Sequence, residues 1–540
     1  MSERSFQLYD TTLRDGSQQE GMVLTVDDKL AVARHLDALG VGFIEGGWPG
    51  AVPRDTEFFR RARTELTLAH AELAAFGATR RPGVAVSRDP QVRALLAADT
   101  PVITLVAKSH TGHVESALRT TLAENLAMIG STVRHLVHAG RRVFLDAEHY
   151  FDGYRRNRAY ALEVVLIAAE AGAETIVLCD TNGGCLPDEI GAVVADTIAA
   201  TGASLGIHCH DDTGCAVANT MAAVDAGAIH AQGTAHGYGE RCGNANLFTV
   251  LGNLALKRGL AAADPGLLGS LAATSRMITE LTGVPSDPSA PYVGASAFTH
   301  KAGLHASALR IDPDLYQHID PERVGNTMRT LVSDMGGRSS VELKARELGY
   351  TVDAGSEESA RAAARVKELE SRGYSFESAD ASFELLLREE LAGSPPEPPF
   401  EVDSWQVSVA CRSNGEVGTD ASVRLRVDDV PLAATGQGNG PVNALDTALH
   451  RALDPFFPQL ARLELVDYRV RVLNGETGSG AAARVLVQFR DGERRWGTVG
   501  VDENTVTASW RALLDAVRYV LLDDVRPGRG AVPLATAWAG

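Results

Sequence analysis

Short β-rich runs alternate with amphipathic helical stretches eight times before residue 240, and no other feature of the chain constrains its fold as much. The runs are FQLYD at 6–10, GFIEGG at 42–47, LAAFGAT at 73–79 and VITLVAKS at 102–109, then RVFLDAEH at 142–149, TIVLCDTNGG at 175–184, SLGIHCHDD at 204–212 and IHAQGTAHG at 229–237. Stretches such as VDDKLAVARHLDALG and NRAYALEVVLIAAEAGA separate them. Each ends in Gly or Gly-Ala, as a helix feeding the next strand does. Eight β/α units in about 250 residues predict an α/β chain whose first domain is a (β/α)8 TIM barrel. A doubly wound open sheet is the alternative, but no strand here is followed by a Gly-x-Gly-x-x-Gly turn.

In such a barrel, chemistry gathers where strands exit at their carboxyl ends. Strand one leads into Arg14 and Asp15, strand two carries Glu45, strand four Lys108 and strand five Glu148. Strand six gives Asp180 and Thr181, strand seven His208 and His210, and strand eight runs into Gly239-Glu240-Arg241-Cys242-Gly243-Asn244. Any one of these alone could be a surface or packing residue; their convergence on one rim is what marks a site. The strand period of two sets both imidazoles of His208-Cys209-His210 on one face, where they can hold one metal ion. Cys209 then points away, into packing.

Asp15 adds one hard oxygen to the two imidazole nitrogens. That set suits Zn, Mn, Fe or Co, and takes Mg only with extra water or substrate oxygens. Three protein ligands leave positions open, and an open metal on a barrel rim is a Lewis-acid site able to chelate a 2-oxo acid through its ketone and carboxylate oxygens. Arg14, beside the ligand, is placed to stabilise negative charge on the ketone oxygen, a salt bridge across the barrel mouth being its alternative use.

At 540 residues the chain exceeds one hydrophobic core, so two or three domains are expected. Apolar content of 45% and charged content of 22% are those of a globular protein rather than a disordered one. A formal charge of −18 argues against nucleic-acid and anionic-membrane partners and for small molecules. MSERSFQLYD lacks a signal-peptide core, and no run is apolar over the ~18 residues of a membrane span, so a cytoplasmic protein is expected. Six cysteines without a C-x-x-C pair read as reduced thiols.

YDTTLRDGSQQEG at 9–21, the His208/His210 strand and HGYGERCGNANL at 236–247 occur in that order on strands one, seven and eight. Together they resemble the DRE-type TIM metalloenzymes that condense acetyl-CoA with 2-oxo acids, the 2-isopropylmalate, homocitrate and citramalate synthases. IEGGWPG at 44–50, LDAEHYFDG at 145–153 and CDTNGG at 179–184 look most like the citramalate synthase branch, which uses pyruvate and makes (R)-citramalate.

The resemblance implies a divalent metal (Mn, Mg, Zn or Co) on Asp15, His208 and His210, with Asn244 at or near it. It implies that Arg14 polarises the keto group, that Thr181 contacts the substrate carboxylate, and that Glu148 acts in proton transfer. Gln18 is a further substrate-binding position beside this set. AFTHKAGLHASALRIDPDLYQHIDPERVGN at 297–326 resembles the subdomain these synthases insert into the partner subunit's active site, which implies a homodimer. Within it His305 and Tyr316 are the implied catalytic pair, with His300 the next candidate. The base that enolises acetyl-CoA stays open among His305, Glu148 and a metal-organised water. A 2-isopropylmalate synthase acting on 2-oxoisovalerate is the nearest alternative, and a metal-dependent acyl-CoA lyase the next.

Residues 1–285 are thus expected to form the catalytic barrel and 286–391 helical subdomains, with two helices over 356–391. AGSPPEPPF at 392–400 reads as a linker. From 401 to 540 a strand-rich unit followed by a helix is used twice, an echo that resembles the regulatory domain of isopropylmalate and citramalate synthases. That likeness implies an amino-acid effector, isoleucine if the substrate is pyruvate and leucine if it is 2-oxoisovalerate. GQGNGP at 436–441 is a loop before a helix and not a nucleotide loop, since Pro441 stands where the third glycine would be.

Overall fold

The computed structural model describes residues 6–523 apart from 263, 394–397, 412, 474–477, 479 and 493, so the expected linker and the last residues of the chain fall partly or wholly outside it. Two compact units are present, one built from the chain up to 297 with 321–327, the other from 298–320 and the chain from 328 onward.

The first unit is a closed parallel barrel of β1 (Gln7–Asp10), β2 (Phe43–Glu45), β3 (Glu72–Ala78), β4 (Val102–Lys108), β5 (Arg142–Glu148), β6 (Thr175–Asp180), β7 (Leu205–Cys209) and β8 (His230–Gly233). β1 pairs with both β2 and β8, which closes the ring. The intervening helices start where the chain supplies caps. Thr25 and Asp28 bond reciprocally at the head of Val26–Ala38, and Asp89 accepts from Gln91 and Val92 ahead of Pro90–Ala98.

β6, β7 and β8 end three or four residues sooner than their β-rich runs. After β6 the Asp180 carboxylate accepts from the backbone N–H of Gly184 and Cys185, and Gly183 at φ 61° turns the chain. After β8, His236 at φ 55° does the same. His210 follows β7 only as an isolated bridge to Asn244.

Alternate residues enter the barrel and stack in layers. At the amino-terminal end Arg142 bridges Glu72 and Glu174, each at 2.6 Å. Above lies an apolar layer of Tyr9, Phe43, Ala74, Val102 and Phe144, with the His230 ring 5.2 Å from both Tyr9 and Phe144. Gly206 makes room for that imidazole, since a Cβ there would stand 2.7 Å from His230 Cδ2. Next come Glu45, Thr104, Asp146 and Gln232, all buried, and above them the rim. The barrel is therefore filled from below, and only its carboxyl end is open.

The second unit contains helices Gly303–Ile311, Glu357–Ser371 and Asp380–Ala392, then two copies of a three-stranded antiparallel sheet followed by a helix. The first copy is Glu401–Cys411, Val417–Val427, Val430–Gly438 and helix Pro441–Leu453; the second is Glu464–Val472, Ala483–Asp491, Arg494–Asp502 and helix Thr505–Asp523. Each middle strand buries alternate residues, as Ala421, Val423 and Leu425 do, under its helix. Strand Val430–Gly438 escapes sequence reading because PLAATGQG carries no hydrophobic alternation. It takes Gly436–Gly438 out of the expected loop, leaving Gly440 to precede the helix. No helix among the described residues is long and apolar enough to cross a membrane.

Burial among the aromatic rings holds the His230 imidazole down at about 3, whereas in the unfolded chain it takes up a proton near its ordinary value of 6.5. Its neutral form is thus the folded form, so its contribution is full above pH 6.5 and falls as pH drops toward 3. Between pH 7 and pH 5 this group alone should cost about 2 kcal/mol. In a His230→Phe variant the barrel's melting temperature should fall less over that interval than in the wild type; an equal fall would show that His230 is not a source of the acid sensitivity.

Candidate active site

Asp15, His208 and His210 each offer an atom within 4.8 Å of the others', and all three are buried. Local structure delivers them there. Asp10, the last residue of β1, accepts from Thr12 N and Thr12 Oγ1, and Gly16 N bonds back to Thr11 O, so the chain folds over the barrel mouth and brings Asp15 inward. His208 is an inward position of β7 and His210 is in phase with it. Asn244 is fixed by its own loop, its N–H on Gly237 O and its Nδ2 on Tyr238 O, both at 2.9 Å. Gly239 and Gly243 make that loop possible. Gly243 sits at φ 86°, and a Cβ on Gly239 would press 2.3 Å from Asn244 Nδ2.

Charge states suit metal binding. Burial brings His208 down to about 4, and it lowers His210 as well, so both imidazoles are neutral near pH 7. Burial pushes the Asp15 carboxyl up, but Arg14, His208 and His210 outweigh it and hold the group below the usual carboxylate range. His208 Nδ1 lies 2.9 Å from Gln232 Oε1, so Nδ1 carries the proton and Nε2, 3.5 Å from Asp15 Oδ2, keeps a lone pair. His210 Nδ1 and Asn244 Oδ1 are buried with no hydrogen-bond partner. Two unmet polar atoms next to a carboxylate and a second imidazole fit a divalent cation, which would satisfy them.

Arg14 is clamped. Its Nε donates to Glu45 Oε2 at 2.6 Å, its Nη1 is 3.3 Å from Asp15 Oδ2, and its guanidinium carbon lies 3.8 Å over the Phe76 ring. The salt bridge across the barrel mouth is thus present, and Arg14 still lines the cavity.

That cavity, of about 480 Å³, brings together Arg14, Asp15, Gln18, Glu148, Thr181, His208 and His210. Glu148 touches the Lys108 ammonium, its register partner on β4. Thr181 Oγ1 accepts from His149 N at 2.8 Å. On the side of β2 to β4 the lining turns apolar with Trp48, Phe76 and Val106, and the Trp48 Nε1 N–H is buried without an acceptor.

His305 and Tyr316 belong to the second unit, where their rings stack with centroids 4.1 Å apart and His300 lies 6.0 Å from His305. Residues that went unnoticed or without a role in the sequence include Asp146 and Trp48 in the cavity wall, Gln232 behind His208, and Arg241, which pairs with Asp212 at 2.8 Å and donates to Thr181 O at 2.9 Å. Asp146 was within reach of strand alternation, being two residues before Glu148 on β5.

Residues 5–278 match the HMGL-like family, residues 292–374 the homocitrate synthase post-HMGL domain-like family, and residues 377–521 the LeuA allosteric (dimerisation) domain. The HMGL-like family is metal-dependent, in keeping with the Asp15, His208 and His210 donors. An (R)-citramalate synthase of Streptomyces coelicolor is 59% identical over 96% of this chain and 97% of its own length. The (R)-citramalate synthase of Aquifex aeolicus is 46% identical over 98% and 100%, and that of Synechocystis 47% identical over 96% of each. With its barrel, its post-barrel segment and its carboxyl-terminal domain all matched end to end, the chain belongs to the (R)-citramalate synthase family.

Proposed function

We propose that this protein is an acyltransferase that condenses acetyl-CoA with pyruvate and water to give (R)-citramalate and CoA, a reaction of isoleucine biosynthesis. The observation that carries the reading is the complete set of Asp15, His208, His210 and Arg14 in one cavity, in a chain that resembles these synthases over nearly its full length. Asp15, His208 and His210 would hold the divalent metal, Mn, Mg, Zn or Co, with Asn244 beside it. When bound, that metal supplies Lewis acidity to the ketone of the oxo acid.

The rest falls to side chains. Arg14, held rigid by Glu45 and Phe76, presents its remaining N–H groups to the oxygen that becomes an alkoxide. Thr181 and Gln18 contact the oxo acid. Glu148 takes part in proton transfer, with the Lys108 ammonium against it. His305 and Tyr316 assist enolisation of the acetyl methyl or activate the water that cleaves the thioester.

We infer that the segment around 303–316 enters the active site of a second subunit, as its likeness to the inserted subdomain of these synthases implies. Leu304, Ile311 and Leu315 support this, being 73%, 74% and 58% exposed on the segment that carries the pair. The dimerisation domain supports a homodimer independently. In the same domain we place the amino-acid effector, isoleucine for a pyruvate-using enzyme and leucine for a 2-oxoisovalerate-using one. Six cysteines scattered without a C-x-x-C pair fit a reducing cytoplasm.

Chelator-stripped protein should release no CoA thiol from acetyl-CoA, and added Mn or Mg should restore release with pyruvate in preference to 2-oxoisovalerate or 2-oxoglutarate. Preference for 2-oxoisovalerate would move the protein to 2-isopropylmalate synthase, and no release with any oxo acid would overturn the synthase reading. Arg14→Lys keeps the charge but loses the fork on Glu45 and Asp15, so kcat should drop by about 10²- to 10³-fold. Mixing the two inactive proteins His208→Ala and His305→Ala should recover about a quarter of wild-type activity, through hybrid dimers with one intact shared site. No recovery in hybrids shown to form would place both residues in sites built within one subunit.

A further inference from the structure

Gln232 lies two residues beyond His230 on β8, so the alternation that sends His230 into the apolar layer sends Gln232 into the layer beneath the metal donors. It is 1% exposed, and its amide spans two strands. Oε1 is 2.9 Å from His208 Nδ1 on β7, and Nε2 donates to Asp146 Oδ1 on β5 at 3.0 Å. A primary amide has one donating and one accepting end. With its donor end taken by Asp146, Gln232 can offer His208 only the carbonyl oxygen, so His208 must keep its proton on Nδ1 and turn the Nε2 lone pair toward Asp15 Oδ2.

The geometry points to Gln232 as a positioning residue of the metal centre: oriented by Asp146, it fixes the tautomer and ring plane of His208, so that metal affinity depends on a hydrogen-bond chain running from β7 through β8 to β5. Asp146 also forms part of the cavity wall, as does Glu148 two residues along the same strand, so the chain joins the metal to the surface that substrate meets. This rests on the reading that Asp15, His208 and His210 hold a divalent cation. It adds that one of the two imidazoles is set by its outer partner, an arrangement whose loss typically costs 10- to 100-fold in metal affinity.

The test is calorimetric titration of the chelator-stripped full-length protein with Mn²⁺ and Co²⁺, with the visible absorption of the Co²⁺ form as a second readout. Gln232→Met fills the same volume but offers neither hydrogen bond; it should bind both ions about 10- to 100-fold more weakly and shift the Co²⁺ bands. Gln232→Glu accepts from His208 with either oxygen and so needs no orienting by Asp146, although it sets a second carboxylate against that residue; its affinity should fall by less than about tenfold, and by less than that of Gln232→Met. Wild-type affinity in Gln232→Met overturns the proposal. So does equal weakening in both variants, which would mean that Gln232 matters only to packing. Should Gln232→Met fail to fold, Gln232→Glu decides alone, since weakening beyond tenfold there overturns the proposal. His208→Ala checks the underlying reading separately: if it binds metal as tightly as wild type, the donor set is misassigned, whatever the Gln232 variants do.

Discussion

The guanidinium of Arg14, wedged between the carboxylates of Glu45 and Asp15, is the contact on which the upper half of the barrel depends. Glu45 is wholly buried, and a carboxylate taken that far from water is unfavourable by several kcal/mol unless a charge and hydrogen bonds meet it. Arg14 supplies the charge and the Tyr9 hydroxyl a second bond at 2.8 Å. Tyr9 in turn belongs to the apolar layer below, so packing of the barrel core and placement of the active-site charges form a single network. The same guanidinium keeps Asp15 ionised against its burial, which is what a metal ligand requires.

Much of this was legible in the sequence because strand-end chemistry and strand period are local properties. A run of apolar residues that stops at His208-Cys209-His210 states both the strand and the face its histidines share, and the eight-fold alternation states the barrel. What escaped depends on partners distant in sequence. Gln232 and Asp146 are polar residues inside apolar strands, and nothing local distinguishes them from tolerated exceptions until register sets one beside His208 and the other below the cavity. Lys108 and Glu148 were each visible, but their pairing follows from β4 and β5 lying side by side in register. Strand ends were overrun where side-chain capping by Asp180, rather than composition, turns the chain. His305 and Tyr316 were reached only through resemblance, since two aromatic rings in a Gly-rich segment carry no signal of their own.

The carboxyl-terminal unit shows the same economy of pattern. Each of its two copies lays one helix on one face of a three-stranded sheet, and both copies contribute to one apolar core, Val423 and Leu449 from the first with Val485 and Leu513 from the second. Trp405 of the first copy meets Trp510 of the second with ring centroids 5.7 Å apart. The outermost strands Glu401–Cys411 and Glu464–Val472 remain largely exposed, with Val409 and Val472 at 56% and 61%. A domain that leaves apolar strand faces uncovered in one chain is suited to association.

The candidate metal donors Asp15, His208, His210 and Asn244 lie at the ends of β1, β7 and β8, which are neighbours around the ring, whereas Trp48, Phe76 and Val106 come from the turn after β2, from β3 and from β4. The candidate metal donors and the apolar part of the lining therefore occupy different arcs of one barrel. Such a division lets side chains on the apolar arc change in size and shape without moving the Asp15, His208 and His210 donor set.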